Sequence, residues 1–120
     1  MRFRKEERLK KEKLIQELFD KGSSFYLFPF KVIVLHNPEV NYAFHQVLFS
    51  VSKKNFKKAV QRNLIKRRMR EAFRQNKQRM PASKKLLIAY IYSAKEILTF
   101  AQIQERLLKT FNRLDHVEKI

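Results

Sequence analysis

The stretch Lys53–Arg79, KKNFKKAVQRNLIKRRMREAFRQNKQR, constrains this chain more than any other. It carries twelve Lys or Arg and one acid, Glu71. Ile65, Met69, Ala72 and Phe73 recur at i, i+4, i+7 and i+8, which is one face of an α-helix. Asn63, Lys66, Arg67, Arg70, Arg74 and Lys77 recur on the opposite face. One helix therefore packs on an apolar surface and presents a wall of cations away from it. Ordinary charged helix faces mix both signs, because opposite charges at i,i+4 stabilise the helix and like charges destabilise it. No acidic stretch elsewhere in the chain is long enough to answer the wall, so the pattern predicts an external polyanion.

The whole chain repeats that bias. It has 120 residues, 28 Lys or Arg against 11 Asp or Glu, and a formal net charge of +17. Self-repulsion on that scale opposes compaction unless a polyanion is near. With 44% hydrophobic residues and eleven Phe, the composition is nevertheless that of a globular domain. Nucleic acid is the first candidate partner and an anionic membrane the second. The absence of cysteine excludes disulfides and thiolate metal sites. The charged N-terminus MRFRKEERLKKEK lacks the apolar core of a signal peptide, and no apolar run reaches the roughly 20 residues of a membrane span. A cytoplasmic location without a membrane partner is the expectation. The single glycine, Gly22, excludes phosphate-binding loops that need several.

In chain order, residues 1–7 read as a mobile arm. The apolar face Leu14, Ile15, Leu18 and Phe19 predicts a helix over 9–21, with Gly22 as its C-cap. Phe25–His36 reads as a strand whose edge or true start is marked by Pro29. Residues 37–41 read as a turn and Tyr42–Ser52 as a second strand, with Val47, Phe49 and Val51 on one face. The basic helix spans 58–79 and Pro81 stops it. Leu86–Tyr92 is a buried strand. Thr99 and Gln102 form a capping box before a helix striped by Phe100, Ile103, Leu107, Phe111 and Leu114. The order is α-β-β-α-β-α, a single α+β domain expected as a two-layer sandwich with helices packed on a sheet.

Nothing here suggests a catalytic or metal-binding residue. His36, His45 and His116 have no ligand-like spacing, no pair of carboxylates stands apart from neighbouring Lys or Arg, and Ser50 and Ser52 have no histidine beside them. Strand-end and surface roles account for each. The aromatics of Phe25–Phe30 read mainly as core, with a base-stacking role as the alternative.

The segment RNLIKRRMREAFR, preceded by SVSKKNFKKAVQ, resembles the signature of the bacterial ribonuclease P protein subunit. So does the opening RLKKEKLIQELFDKG, and the order of elements is similar along nearly the whole chain. Two positions depart from the family pattern. Leu64 stands where its Arg-Asn-Arg core has a third cation, and Lys31 or Ile33 replaces a family aromatic on the first strand. The resemblance implies a left-handed β-α-β crossover, against the usual preference. It implies a subunit that joins a large catalytic RNA and helps remove the 5′ leader from precursor tRNA, with Mg²⁺ held mainly by the RNA. No catalytic side chain and no obligate protein partner are implied. By resemblance, Arg62, Asn63, Lys66, Arg67, Arg70 and Arg74 face the RNA subunit. Ile15, Phe19, Lys31, Ile33, Ser52 and Lys54 wall a cleft for the single-stranded leader. Cation–phosphate contacts give affinity with little sequence choice, as a protein serving many precursors needs. A ribosomal or other structural RNA-binding protein, a self-sufficient nuclease and a membrane-surface protein are the competing readings. Lowering of the Mg²⁺ requirement of the catalytic RNA, cleavage without any guide RNA, and a broad exposed apolar helix face would mark the subunit and the last two, respectively.

Overall fold

A hairpin takes the place of the long first strand that Phe25–His36 predicts. The computed structural model describes residues 4–39, 42–80 and 85–118, with the backbone alone for 115–118. Strand β1 (Ser23–Leu27) turns at Phe28-Pro29 and returns as β2 (Phe30–His36), antiparallel, with Phe25 opposite Val32 and Tyr26 opposite Lys31. Pro29 lacks the N–H a continuous strand would use, so the ladder ends there. Helix α1 (Glu12–Lys21) precedes the hairpin. Strand β3 (Gln46–Val51) leads into α2 (Ala59–Asn76), which ends in a 3₁₀ turn, Lys77–Arg79. Strand β4 (Leu86–Tyr92) and α3 (Phe100–Glu118) complete the chain. The stop at Pro81 and the part of the turn at Val40–Asn41 lie outside the described residues.

The sheet order is β1-β2-β4-β3, with β3 and β4 parallel and joined by α2. Residues of one parity on each strand, Val32, Val34, Val47, Phe49, Ile88 and Tyr90 among them, share a core with Ile65, Met69 and Phe73 of α2 and Ile103, Leu107 and Phe111 of α3. A run of rings threads this layer. Tyr90 meets Phe30 edge-on at 5.5 Å and stacks on Phe49 at 5.8 Å, and Phe73 meets Phe49 at 6.0 Å and Phe111 at 6.2 Å. Such pairs add about 0.5–1.5 kcal/mol each beyond burial, which gives the many phenylalanines a structural use. The Tyr90 hydroxyl, fully buried, is paired with Thr110 Oγ1 at 2.8 Å, and burial pushes its pKa up. The capping box of α3 is present, with Gln102 N–H donating to Thr99 Oγ1 and Thr99 N–H to Gln102 Oε1.

The α+β domain expected from sequence is therefore found, with one layer more than the two-layer sandwich. Helix α1 stands on the opposite face of the sheet, where Leu14 and Leu18 pack with Leu9, Ile33, Leu87 and Ala89. Gly22 ends α1 with φ −70°, so left-handed backbone is not its purpose. A Cβ there would lie 2.8 Å from Ile33 Cγ2 and 3.1 Å from the Val34 carbonyl oxygen; glycine lets the helix end sit against β2. The expectation of a mobile arm over 1–7 fails for Arg4–Glu7. A 3₁₀ turn, Lys5–Glu7, is closed by Glu7 onto the Arg4 N–H at 2.8 Å. Leu9 N–H donates to the Val47 carbonyl at 3.1 Å and covers the open edge of β3. Residues 1–3 lie outside the described residues.

Candidate RNA interface

Helix α2 starts without a side-chain cap and without an acid in its first turn. Arg62 does part of that work from inside the helix. Its Nη1 donates to the carbonyl oxygens of Phe56 and Lys57, both at 2.8 Å, tying the entering loop to the first turn. Ser52 fastens the same loop, accepting Lys54 N–H at 3.1 Å on Oγ and Phe56 N–H at 3.1 Å on its carbonyl. Lys53, Lys54, Lys57 and Lys58 thus gather at the end of the helix where the backbone dipole is positive. That placement is unfavourable in the free chain and favourable beside phosphate.

The cationic stripe divides along its length. Asn63 and Arg67 are exposed, Lys66 and Arg70 half-buried, and no ion pair to these cations occurs among the described residues. Burial, and the nearby Arg8 guanidinium, lower the pKa of Arg70, so the chain crowds cations here. Farther along, acids answer the stripe. Arg74 forms a two-pronged pair with Glu71, its Nε donating to Oε2 at 3.0 Å. Hydrogen bonds from Arg74 and then Gln75 hold the Glu71 carboxyl at about 2, below its ordinary range. Lys77 Nζ donates to Glu7 Oε1 at 2.8 Å, and both side chains are largely buried. No acidic stretch answers the wall, but single acids, Glu71 and Glu7, answer it at Arg74 and Lys77. Arg68 lies on the flank beside Leu64, and its Nη1 donates to the Leu98 carbonyl at 2.6 Å, which ties part of the guanidinium to the fold.

A second surface lies on the α1 side of the sheet. The register brings Tyr26, Lys31, Ile91 and Ser50 into one row across all four strands. Helix α1 covers the neighbouring row, Ile33 and Ala89, but leaves Lys31 and Tyr26 exposed. Ile15 and Ile91 border the covered patch half-buried, and Phe19 is 46% exposed. Lys54 is exposed and Ser52 half-buried near the end of β3. Of the six expected cleft residues, Ile33 does not contribute a wall: it is 6% exposed, packed beneath α1. Tyr26 and Phe28, 56% and 42% exposed, depart from the core reading of the Phe25–Phe30 aromatics and are left accessible, as the stacking alternative requires. Alternation along β1 from the half-buried Phe25 would point to Tyr26 once the turn at Pro29 is placed.

The sequence model of the family Ribonuclease P matches residues 3–115. The chain belongs to the ribonuclease P protein family. It is 35% identical over 111 residues to the ribonuclease P protein component of Geobacillus sp. (strain WCH70), covering 92% of this chain and 91% of that one. The component of Porphyromonas gingivalis (strain W83) is 41% identical over 73 residues, 61% of this chain. The match spans about half the length of the Porphyromonas and Chlorobium relatives, 53% and 55%. Among solved structures, the RNase P protein of Thermotoga maritima superposes with a TM-score of 0.74 at 30% identity, covering 89% of this chain and 96% of that one. That of Staphylococcus aureus gives 0.70 at 33%, covering 91% and 94%.

Within this ribonuclease P protein fold His45 has a structural use. His45 Nδ1 accepts the Leu86 N–H at 3.0 Å, capping the start of β4, as a strand-end histidine should. The His116 side chain lies outside the described residues. No group of three or more His, Cys, Asp or Glu side chains suited to a metal ion stands together among the described residues. No described helix is long and apolar enough to cross a membrane.

Proposed function

We propose that this chain is the protein subunit of a ribonuclease P holoenzyme, which cuts precursor tRNA to give the mature 5′ end. The observation that carries the reading is the family match over 3–115 on a chain whose α2 presents Lys66, Arg67 and Arg70 without internal acids. In this reading Asn63, Lys66, Arg67 and Arg70 meet the phosphates of the catalytic RNA. Arg62 shapes the helix start, and Arg74 contributes less because Glu71 already holds it. The precursor's leader lies along the open row of the sheet. Bases stack against Phe19 and Tyr26, while Lys31 and Lys54 meet the backbone, an arrangement that tolerates variable sequence. The hydrolysis and the Mg²⁺ that supports it belong to the RNA subunit; the protein's side chains bind and orient. The working location is the cytoplasm.

Reconstitution with bacterial ribonuclease P RNA and a precursor tRNA tests this. The chain should lower the Mg²⁺ requirement and tighten precursor binding over mature tRNA, increasingly with leader length. Lys31→Ala, Lys54→Ala and Phe19→Ala should each reduce that preference and leave assembly intact. An unchanged Mg²⁺ requirement would favour a structural RNA-binding protein instead. Equal affinity for all leader lengths would refute the cleft while leaving the subunit role standing. A second reading comes from a Staphylococcus aureus neighbour whose name describes a mutant with defective mRNA degradation activity. Incubating the chain with mRNA in the absence of ribonuclease P RNA separates the two, and we expect no cleavage.

A further inference from the structure

A cavity of about 350 Å³ opens at the far end of α2, beyond the acid-free half of the stripe and apart from the open row of the sheet. It lies where β3 and β4 begin, between the N-terminal 3₁₀ turn, the segment before β3 and the turn after α2. His45 borders it, whereas the open row crosses β3 at Ser50, five residues or about 17 Å along the strand. The leader row and this cavity are therefore separate places on the molecule.

The lining combines charge and an aromatic ring. Arg4, Lys77 and Lys85 supply three cations against one carboxylate, Glu7. Glu7 is already engaged by Lys77 Nζ and by the Arg4 N–H, each at 2.8 Å. The remaining field is positive and suits a phosphate. Phe73 and Ala43 add apolar wall. Phe44 is half-buried, and Tyr42 meets it edge-on at 6.5 Å. The Arg4 guanidinium lies over the Phe44 ring, 5.7 Å from its centroid. A planar base that replaces the guanidinium on this ring would free Arg4 to meet the attached phosphate. The volume is at the lower end of the range for small-molecule sites, suited to one nucleotide and too small for a folded element.

We propose that this cavity binds a single unpaired nucleotide of RNA, its base on Phe44 and its phosphate between Lys85 and Arg4. The RNA source rests on the subunit reading: the α2 stripe runs from Asn63 to Lys77 and ends at the cavity, so a strand lying along the stripe arrives at its mouth.

The test is an amide NMR titration of the full chain with adenosine 5′-monophosphate, inorganic phosphate, adenosine and a 5′-phosphorylated adenine trinucleotide. The monophosphate should shift Ala43, Phe44, His45, Gln78 and Lys85 and bind more tightly than phosphate or adenosine. Phe44→Leu should weaken it about tenfold, and Lys85→Ala about fivefold, with melting temperatures near that of the parent. The trinucleotide should bind more tightly than the monophosphate. Inorganic phosphate binding as well as the nucleotide would make this a plain anion site and overturn the nucleotide assignment. Shifts confined to 63–70, or variants without effect, would overturn the pocket. A trinucleotide no better than the monophosphate would mean a free-nucleotide site and overturn the RNA source. Because no ribonuclease P RNA is present, failure here leaves the subunit reading untouched, and failure of reconstitution leaves this result readable.

Discussion

The two halves of the α2 stripe look alike in sequence and differ in the folded chain. From Asn63 to Arg70 the cations stand without acids, and Arg70 is further crowded by Arg8. At Arg74 and Lys77 the same spacing meets Glu71 and Glu7. Lys77 closes onto a carboxylate seventy residues away and fastens the N-terminal turn to the end of the helix. Periodicity thus reports which face a residue occupies but not whether its charge is already spoken for. Cations held internally serve the fold, and cations left without acids can serve a partner.

The largest expected effect is on stability at the far half. Lys77→Met leaves the nearly buried Glu7 with the Arg4 N–H but without its cation and should cost about 3 kcal/mol. Urea unfolding measures it. The double variant Lys77→Met/Glu7→Leu should recover much of the loss, since removing both charges also removes the desolvation of each. A loss below about 0.5 kcal/mol would place Lys77 with the cations left without acids and break the division.

Arg62 sharpens it at the near end. Losing two charge-assisted bonds to the Phe56 and Lys57 carbonyls should cost about 2 kcal/mol in Arg62→Ala. Unfolding free energy and RNA affinity, measured on the same preparation, separate this from a phosphate contact. A variant that loses affinity at unchanged stability would return Arg62 to the interface.

The smallest effect concerns Glu71. A carboxyl whose pKa is lowered on folding favours the native state above its unfolded value, near 4.5, and that contribution fades as the pH falls toward about 2. Glu71→Gln should therefore narrow the stability difference between about pH 6 and about pH 2.5. The pair is partly exposed, so the difference is small. Freed of its acid, Arg74 should also make RNA binding slightly more salt-dependent; a variant with identical pH and salt profiles would show the pair to be idle.

What can be read in advance follows from range. Strand β4 and the buried face of α2 depend on local apolar runs and 3.6-residue periodicity, and the structure places them as expected. The capping box of α3 is equally local. The hairpin is hidden because the apolar pattern of 25–36 continues through Pro29, and the turn reverses direction without changing hydrophobicity. Ile33 falls among the expected cleft residues because nothing local says that α1 lies over it. Glu7–Lys77 and Arg68–Leu98 join residues far apart in sequence, and only the packed fold brings them within hydrogen-bond range.

The most direct measurement is the slope of log affinity against log salt for ribonuclease P RNA, compared across Arg67→Gln/Arg70→Gln and Arg74→Gln. Each phosphate that a variant ceases to neutralise should flatten the slope by about one. The double variant should flatten it by up to about two and weaken binding by about 1 kcal/mol or more, whereas Arg74→Gln should change it by much less than one. An unchanged slope in the double variant, or an equal loss per charge at Arg74, would contradict the division of the stripe.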